Sequence, residues 1–354
     1  MTTTPAHELK TRISSPETRD RLLLEVEKRM HGFLAQQRER WSADKVSDTL
    51  VPIDAVAELL DAGGKRIRPA FCATGFLLAG GEPDDPVIVD ASAAVEFLHA
   101  FALIHDDVLD DSPLRRGTPT VHTKYAALHA SAGWRGESRR FGEGVAILAG
   151  DLAYVFADSL AADLPPAARQ VWDELRAEMI IGQFIDVKAA AEFTVDPDLA
   201  RWIAVCKSGR YTIHRPLLLG AAIAGRMDLS PAFEEYGVAL GEAFQLRDDL
   251  IDGFGTSTAT GKPTGLDFDR HKMTLLLALA LRRDDRVREL VTQEEWDSEL
   301  LSALLIETGV RADVERRIER LVEQACEAID RAPVDEIWKT ELSSMAFQVT
   351  HRDR

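Results

Sequence analysis

Three long apolar segments constrain the fold before any motif is considered. Residues 91–104, 150–162 and 238–251 are rich in Ala and apolar on most sides of a helix. A helix that is apolar all round must be covered by other elements, so this chain needs a core built from many helices. Runs of β-branched residues bounded by turns are scarce. The segment after Ser15-Pro16 carries Leu22, Leu23, Leu24, Val26, Met30 and Leu34 at helical rather than alternating spacing. Ser15-Pro16, Asp196-Pro197 and Ser230-Pro231 each read as a capping residue followed by Pro at the first helical position. The expected fold class is all-α.

Loops are expected at Gly63-Gly64, at 80–83, at 131–144 and at 253–265, the last two being long and therefore candidates for function. No Pro/Ser-rich linker divides the chain. The expected organisation is a mobile tail over residues 1–15 and one helical domain over 16–354.

The 354 residues carry 42 Lys and Arg against 59 Asp and Glu, a formal charge of −17. That balance argues against nucleic-acid binding, which depends on neutralising phosphates with cations. It leaves room for an anionic ligand wherever local cations or metal ions reverse the field. Cys72, Cys206 and Cys326 are widely spaced and odd in number, which fits a reducing cytoplasm and neither a disulfide framework nor a zinc site. Residues 1–20 lack the apolar core of a signal peptide. The most apolar stretch, 87–104, is interrupted by Asp90, Glu96 and His99, so no membrane span is expected.

One pattern occurs twice. Asp106-Asp107-Val108-Leu109-Asp110 and Asp248-Asp249-Leu250-Ile251-Asp252 both read Asp-Asp-x-x-Asp, and both end an apolar run. On a helix the first and last Asp lie one turn apart on one face, where like charges repel by a few tenths of a kcal/mol per pair. A bound cation offsets that repulsion. Magnesium suits the pattern, because it takes oxygen ligands from one or two carboxylates together with substrate phosphates. Either copy alone could be a solvated acidic helix end; two copies favour a site.

Cations cluster nearby. Gly63-Gly64-Lys65-Arg66-Ile67-Arg68 sets three of them behind a glycine pair, which permits close backbone approach to phosphate. Its bland reading is a basic helix start. Arg115-Arg116-Gly117 follows the first acidic motif, and Arg offers bidentate donors to phosphate. Lys207, Lys262 and Lys272 each read singly as a surface charge. His99 lies two helical turns before Asp106, on nearly the same face, and is either a core histidine or a ligand contact. His105 reads as structural.

Taken together these residues resemble a known family. Residues 99–122, HAFALIHDDVLDDSPLRRGTPTVH, are similar to the first aspartate-rich motif of the trans-isoprenyl diphosphate synthases, or polyprenyl synthetases. Residues 244–252, FQLRDDLID, resemble the second. GGKRIRP at 63–69, GQFIDV at 182–187, KSGRYT at 207–212 and Gly261-Lys262 resemble further blocks in the family's order. Ala132-Gly133-Trp134-Arg135-Gly136 and TGKPTG at 260–265 resemble the actinobacterial branch. The likeness covers about residues 55–290.

The resemblance implies a helical bundle around a central cavity, a cytoplasmic homodimer, and condensation of isopentenyl diphosphate with an allylic diphosphate. It implies that Asp106, Asp107, Asp110 and Asp248 hold magnesium ions, about three per active site by analogy, with Asp249 and Asp252 in support. Arg115, Lys207 and Lys262 would contact the allylic diphosphate. Lys65, Arg68, His99 and Arg116 would hold the second diphosphate, Gln245 and Ser208 would line the region where the cation develops, and Lys272 would join the substrate-binding set. No side chain is an obvious base, so the released diphosphate would take the proton.

Product length in such an enzyme depends on cavity depth. Phe101 and Ala102 precede Asp106 by about one turn, and Phe101 sits roughly 7 Å further along the helix. One aromatic there with a small neighbour resembles geranylgeranyl (C20) synthases; a farnesyl (C15) product is the alternative, and so is a Phe101 that only packs between helices. Two other functions stay open. A terpene cyclase shares the fold but needs no second diphosphate site. A non-catalytic partner subunit of a synthase would carry a damaged acidic motif, and both are intact. Departures from the family pattern are His214, where an acid is frequent, and Arg270-His271 before Lys272.

Overall fold

The computed structural model describes residues 16–42, 46–254, 272, 274–293 and 297–352. Among these, helices account for nearly all regular structure, as the apolar segments require. By its internal packing the chain separates into two compact units, Met1–Arg169 and Gln170–Arg354.

In the first unit, α1 (Pro16–Ser42) opens at the predicted Pro; Ser15 and the tail expected over 1–15 lie outside the described residues. It is followed by α2 (Val51–Asp61), α3 (Ile67–Leu78) and α4 (Pro86–Leu109). Asp85 caps α4 by accepting from the Val87 N–H at 2.9 Å, and Pro86 needs no partner at the first position. A hairpin of β1 (Leu114–Arg115) and β2 (Thr118–Pro119) leads to α5 (Val121–Ala132) and α6 (Ser138–Leu160).

Helix α4 is the hub. Ile88, Ala91, Ala93, Ala94, Val95, Phe97, Leu98, Ala100 and Ile104 are all buried. Phe97 meets Phe33 of α1 and Phe156 of α6 edge to face, with centroids 5.6 and 6.0 Å away. Burying such a side chain contributes about 1.5–3 kcal/mol. By length and composition α4 could cross a membrane. Its charged residues instead point to partners within the unit: Arg29 donates to Asp90 at 2.5 Å and Arg66 to Glu96 at 2.7 Å.

The long loop expected at 131–144 is a correction. Helix α5 ends at Ala132 on a left-handed Gly133 (φ 64°), and α6 begins at Ser138. Gly142, read as a loop residue, lies inside α6. A Cβ there would stand 2.2 Å from the carbonyl oxygen of His122. The glycine serves helix approach, not turning. His105 behaves as expected of a structural residue: its ring covers Gly150 and its Nε2 lies 3.0 Å from the Ile147 carbonyl oxygen.

The unit boundary falls within α7 (Pro166–Glu192). The second unit continues through α8 (Pro197–Ile203), capped by Asp196, and an 11-residue π-helix, Ala204–His214. It then runs through α9 (Arg215–Ile223), α10 (Ser230–Phe254), α11 (Leu275–Arg283), α12 (Asp285–Val291), α13 (Ser298–Glu307), α14 (Val310–Asp330) and α15 (Glu336–Thr350). Of the loop expected at 253–265, Gly253 and Phe254 still belong to α10 and the rest lies outside the described residues.

Helix α10 packs against the π-helix and α14. Backbone meets backbone where it crosses the π-helix: a Cβ on Gly241 would fall 2.4 Å from the Gly209 Cα. Glu242 is fully buried beside that crossing and accepts from Arg201 of α8 and Arg317 of α14, both at 2.7 Å. Two cations from separate helices fix one carboxylate, and removing both would leave Glu242 as an unpaired buried charge.

His214 closes the π-helix with neither ring nitrogen partnered among the described residues. Its Cβ lies against Gly237, where a Cβ would come within 2.5 Å. Burial, followed by the charges of Arg215 and Arg210, pushes the imidazole down to about 3 from its ordinary 6.5. Above 6.5 the group is neutral in both the folded and the unfolded chain. Between 6.5 and about 3 the unfolded chain takes a proton that the fold refuses, so stability falls with pH. At pH 5 the expected loss from this residue is about 2 kcal/mol. Urea denaturation of His214→Leu at pH 7.5 and pH 5.0 should show a smaller difference between the two pH values than the parent; equal differences would remove His214 as the cause.

Candidate active site

The first acidic motif forms where α4 ends. Asp106 and Asp107 occupy its last turn, and Asp110 terminates it with its N–H bonded to the Asp106 carbonyl oxygen. The chain must then turn back sharply. Asp111 takes a left-handed conformation (φ 48°), and the Thr120 hydroxyl donates to the Ser112 carbonyl oxygen at 2.7 Å, closing the loop. Arg116 (φ 52°) and Gly117 (φ 77°) are the two central residues of the hairpin between Arg115 and Thr118. Positive φ at both is the turn that suits a two-residue hairpin.

That turn sends its two arginines to different places. Arg115 folds back on Asp107: its Nε lies 2.9 and 2.8 Å from the two carboxylate oxygens, and its Nη2 lies 2.7 Å from Oδ1. The same Nη2 lies 3.9 Å from Asp106. Although burial works against it, the hydrogen bonds and charge of Asp107 hold the Arg115 guanidinium above its ordinary value. Asp107 is buried and its carboxylate is committed to Arg115. Asp106 and Asp110, one turn apart and half-buried, are the better placed pair for a cation.

Arg116 turns instead to the glycine pair before α3. Its Nη2 would stand 3.1 Å from a Cβ on Gly64, so only glycine leaves that room without a shift. Lys65 is exposed beside it, and Arg68 sits in the first turn of α3. Arg66, the third cation of this segment, has a structural role. In a left-handed conformation (φ 48°) it donates to Glu27, Glu96 and the Leu60 carbonyl oxygen.

His99 reports the field of this cluster. Desolvation, then Arg68, Arg115, Arg116 and Arg66, hold its imidazole well below the ordinary value. Partial burial and the charge of Arg115 also lower Arg116. A place where neighbouring cations depress both His99 and Arg116 gains by receiving an anion. Two residues after His99 on α4, Phe101 is half-buried, edge-on to Tyr154 of α6 at 5.0 Å and to His105 at 4.6 Å. Ala102 is half-buried beside it.

In the second unit, α10 carries the second motif. Gln245 Nε2 donates to Asp249 Oδ1 at 2.9 Å, one turn on, so Gln245 orients a buried carboxylate. Asp248 forms a close ion pair with Arg352, whose guanidinium centre lies 4.2 Å from the Phe244 ring centroid. Asp252 is half-buried. Lys207 on the π-helix donates to Asp186 of α7 at 2.7 Å. Gly182, one turn before Asp186, lets the helices touch; a Cβ there would fall 2.8 Å from the Lys207 N. Ser208 is half-buried next to Lys207, and Lys272 is half-buried just ahead of α11. Lys262, together with Arg270 and His271, lies outside the described residues.

Each unit thus assembles its own part of the expected set. Sequence reasoning missed three participants: Arg352, Tyr154 and Asp186. Asp186 had a signal, since it belongs to GQFIDV; Arg352 lies 104 residues from its partner and had none. Among the described residues no three His, Cys, Asp or Glu side chains form a ready-made metal cluster. The carboxylate pairs fit magnesium nonetheless, because that ion completes its shell with substrate phosphates and water.

Comparison with known proteins agrees with this chemistry. The sequence profile of the polyprenyl synthetase family matches residues 53–306. A geranylfarnesyl diphosphate synthase from Aeropyrum pernix is 30% identical over 308 residues, 82% of this chain and 91% of that protein. A farnesyl diphosphate synthase from Geobacillus stearothermophilus is 33% identical over 243 residues, 64% of this chain and 74% of its own. Among solved structures, a geranylgeranyl pyrophosphate synthase from Corynebacterium glutamicum, complexed with isoprenyl diphosphate and magnesium, is 36% identical. It superposes with a TM-score of 0.88 over 95% of this chain and 99% of that one.

The electrostatics of His99 make a direct test. Its imidazole should stay neutral well below pH 6.5 in the free protein. Adding inorganic diphosphate should raise its titration midpoint by about one pH unit or more, read by NMR of the ring protons. A midpoint that does not move would place the anion elsewhere.

Proposed function

The chain belongs to the polyprenyl synthetase family and is a trans-prenyltransferase, and we propose that it condenses isopentenyl diphosphate with an allylic diphosphate to make geranylgeranyl diphosphate. The observation that carries the two-substrate reading is the cationic cluster around His99, set beside an intact acidic motif. An acidic motif alone serves one diphosphate. A separate group of Arg68, Arg116, Lys65 and a neutral His99 serves a second, which a cyclase would not need.

In this reading Asp106 of α4 and Asp110 at its C-terminal end, and Asp248 and Asp252 of α10, hold magnesium, about three ions per site in the family's manner. Bound there, the metal stabilises charge on the departing diphosphate. Asp107 acts through Arg115: it fixes the guanidinium, whose Nη1 side is left to meet phosphate. Lys207, held by Asp186, Lys262 and Lys272 add charge to the allylic diphosphate. Gln245 and Ser208 present dipoles toward the developing cation. Residues 16–354 act as one synthase domain; the family match from 53 to 306 runs across the boundary between the two units.

Relatives of nearly equal identity are named for different products, so product length rests on few residues. We assign it to Phe101, held in place by the ring of Tyr154, with Ala102 leaving space beside it. The rings set a floor roughly 7 Å below Asp106. A homodimer is supported by the exposed apolar side chains of Ile147, Leu148 and Val155 along α6. Cytoplasmic location is supported by three free cysteines.

Incubation with isopentenyl diphosphate, magnesium and dimethylallyl, geranyl or farnesyl diphosphate, read by mass spectrometry, should give chain-extended diphosphates that disappear with chelator. A hydrocarbon or alcohol formed from one prenyl diphosphate, with no isopentenyl incorporation, would decide for a cyclase. Asp106→Ala should lower turnover about 100-fold or more while the fold persists; wild-type turnover would overturn the metal assignment. Phe101→Ala should yield products longer than C20. An unchanged product spectrum would put the ruler elsewhere.

A further inference from the structure

The leading carboxylate of the second acidic motif already holds a cation of the chain's own making. Arg352, just beyond α15, pairs through Nη2 with Asp248 Oδ1, and its side chain is 13% exposed. Its guanidinium also lies over the Phe244 ring, 4.2 Å from the centroid. A third contact anchors the same segment: Arg247 Nε donates to the Thr350 carbonyl oxygen at 2.6 Å. Thr350 is fully buried, and its hydroxyl donates to the Ala346 carbonyl oxygen at 2.7 Å. Phe244, Arg247 and Asp248 occupy one turn of α10, so a single helical turn grips residues 350–352 at three points.

Charge explains why the contact forms. Asp248, Asp249 and Asp252 fall within five residues of one helix and repel one another. Gln245 engages Asp249 but brings no charge. Arg352 supplies a positive charge where the proposed function puts a divalent ion. A carboxylate oxygen engaged by a desolvated guanidinium is not equally open to a metal.

We propose that Arg352 is a positioning residue of the second acidic motif, holding Asp248 in place and occupying the cation position that metal takes from it. This rests on the reading of Asp248 as a metal ligand. Two ligands that compete for one group oppose each other reciprocally: metal loosens the 350–352 segment from α10, and that segment weakens the metal. Removing the guanidinium therefore has opposite effects on the two states. The metal-free protein loses a stabilising contact, and the metal site loses a competitor.

The test uses the full chain and Mn2+ as the probe, with inorganic diphosphate present, counted by electron paramagnetic resonance. Arg352→Gln should bind Mn2+ about fivefold tighter than the parent or better. Its melting temperature should be lower than the parent's without metal and equal to it at saturating Mn2+. Arg352→Lys, which keeps a charge without the planar fork, should fall between the two. Unchanged or weaker Mn2+ binding by Arg352→Gln, or a melting-temperature deficit that persists at saturating metal, would overturn the proposal and leave the arginine a structural contact. Asp248→Asn separates the underlying reading: if it binds as many Mn2+ ions as the parent, it is the assignment of Asp248 as a ligand that falls.

Discussion

Crowded carboxylates are the constraint on which the rest of the site depends. Each Asp-Asp-x-x-Asp motif places three acids within one helical turn, an arrangement that is unfavourable without cations. In both units an arginine from further along the chain answers it. Arg115 returns through a hairpin to Asp107, and Arg352 arrives from beyond α15 to Asp248. The unusual local features serve those returns. The left-handed Asp111 and Arg116, the glycine at 117 and the buried Thr350 bring a guanidinium to a carboxylate. The acidic motifs are therefore held assembled by the protein itself.

A second constraint is closeness. Within each unit helices touch at glycines: Gly142 on α6 in the first, Gly182 on α7 and Gly209 against Gly241 at the π-helix in the second. A Cβ at any of these would meet backbone atoms below 3 Å. Helices this close leave little freedom for the side chains they carry, and that fixes the positions of Lys207 and Gln245.

Much of this was legible in the sequence because it is local. The helix start at Pro197 follows from capping chemistry, since Asp196 accepts from the Asp198 N–H, and the acidic motifs declare themselves by spacing. Ser230, expected as a cap, is instead already helical and continues from a short helical turn at Met227–Leu229. What failed was the meaning of glycine. In 131–144 glycines marked both a real turn at Gly133 and a helix contact at Gly142, and composition cannot separate the two uses. Partners distant in sequence were also hidden. Nothing in HRDR at 351–354 points to Asp248, and nothing in an Ala-rich core helix singles out Tyr154. Arg66 shows the reverse: it looked like one more phosphate-binding cation, and packing gave it to Glu27 and Glu96.

The hairpin at 114–119 carries a consequence for how such a chain can change over generations. Arg115 and Arg116 are adjacent, yet one serves Asp107 and the other lies over Gly64. Their separation depends on the phase of a two-residue turn. Adding or deleting a single residue there would change the turn type and disturb both attachments at once. A substitution would damage only one. Length in this short segment is thus under tighter restraint than identity, and lineages of this fold should accumulate insertions almost anywhere on the surface before they accumulate one here.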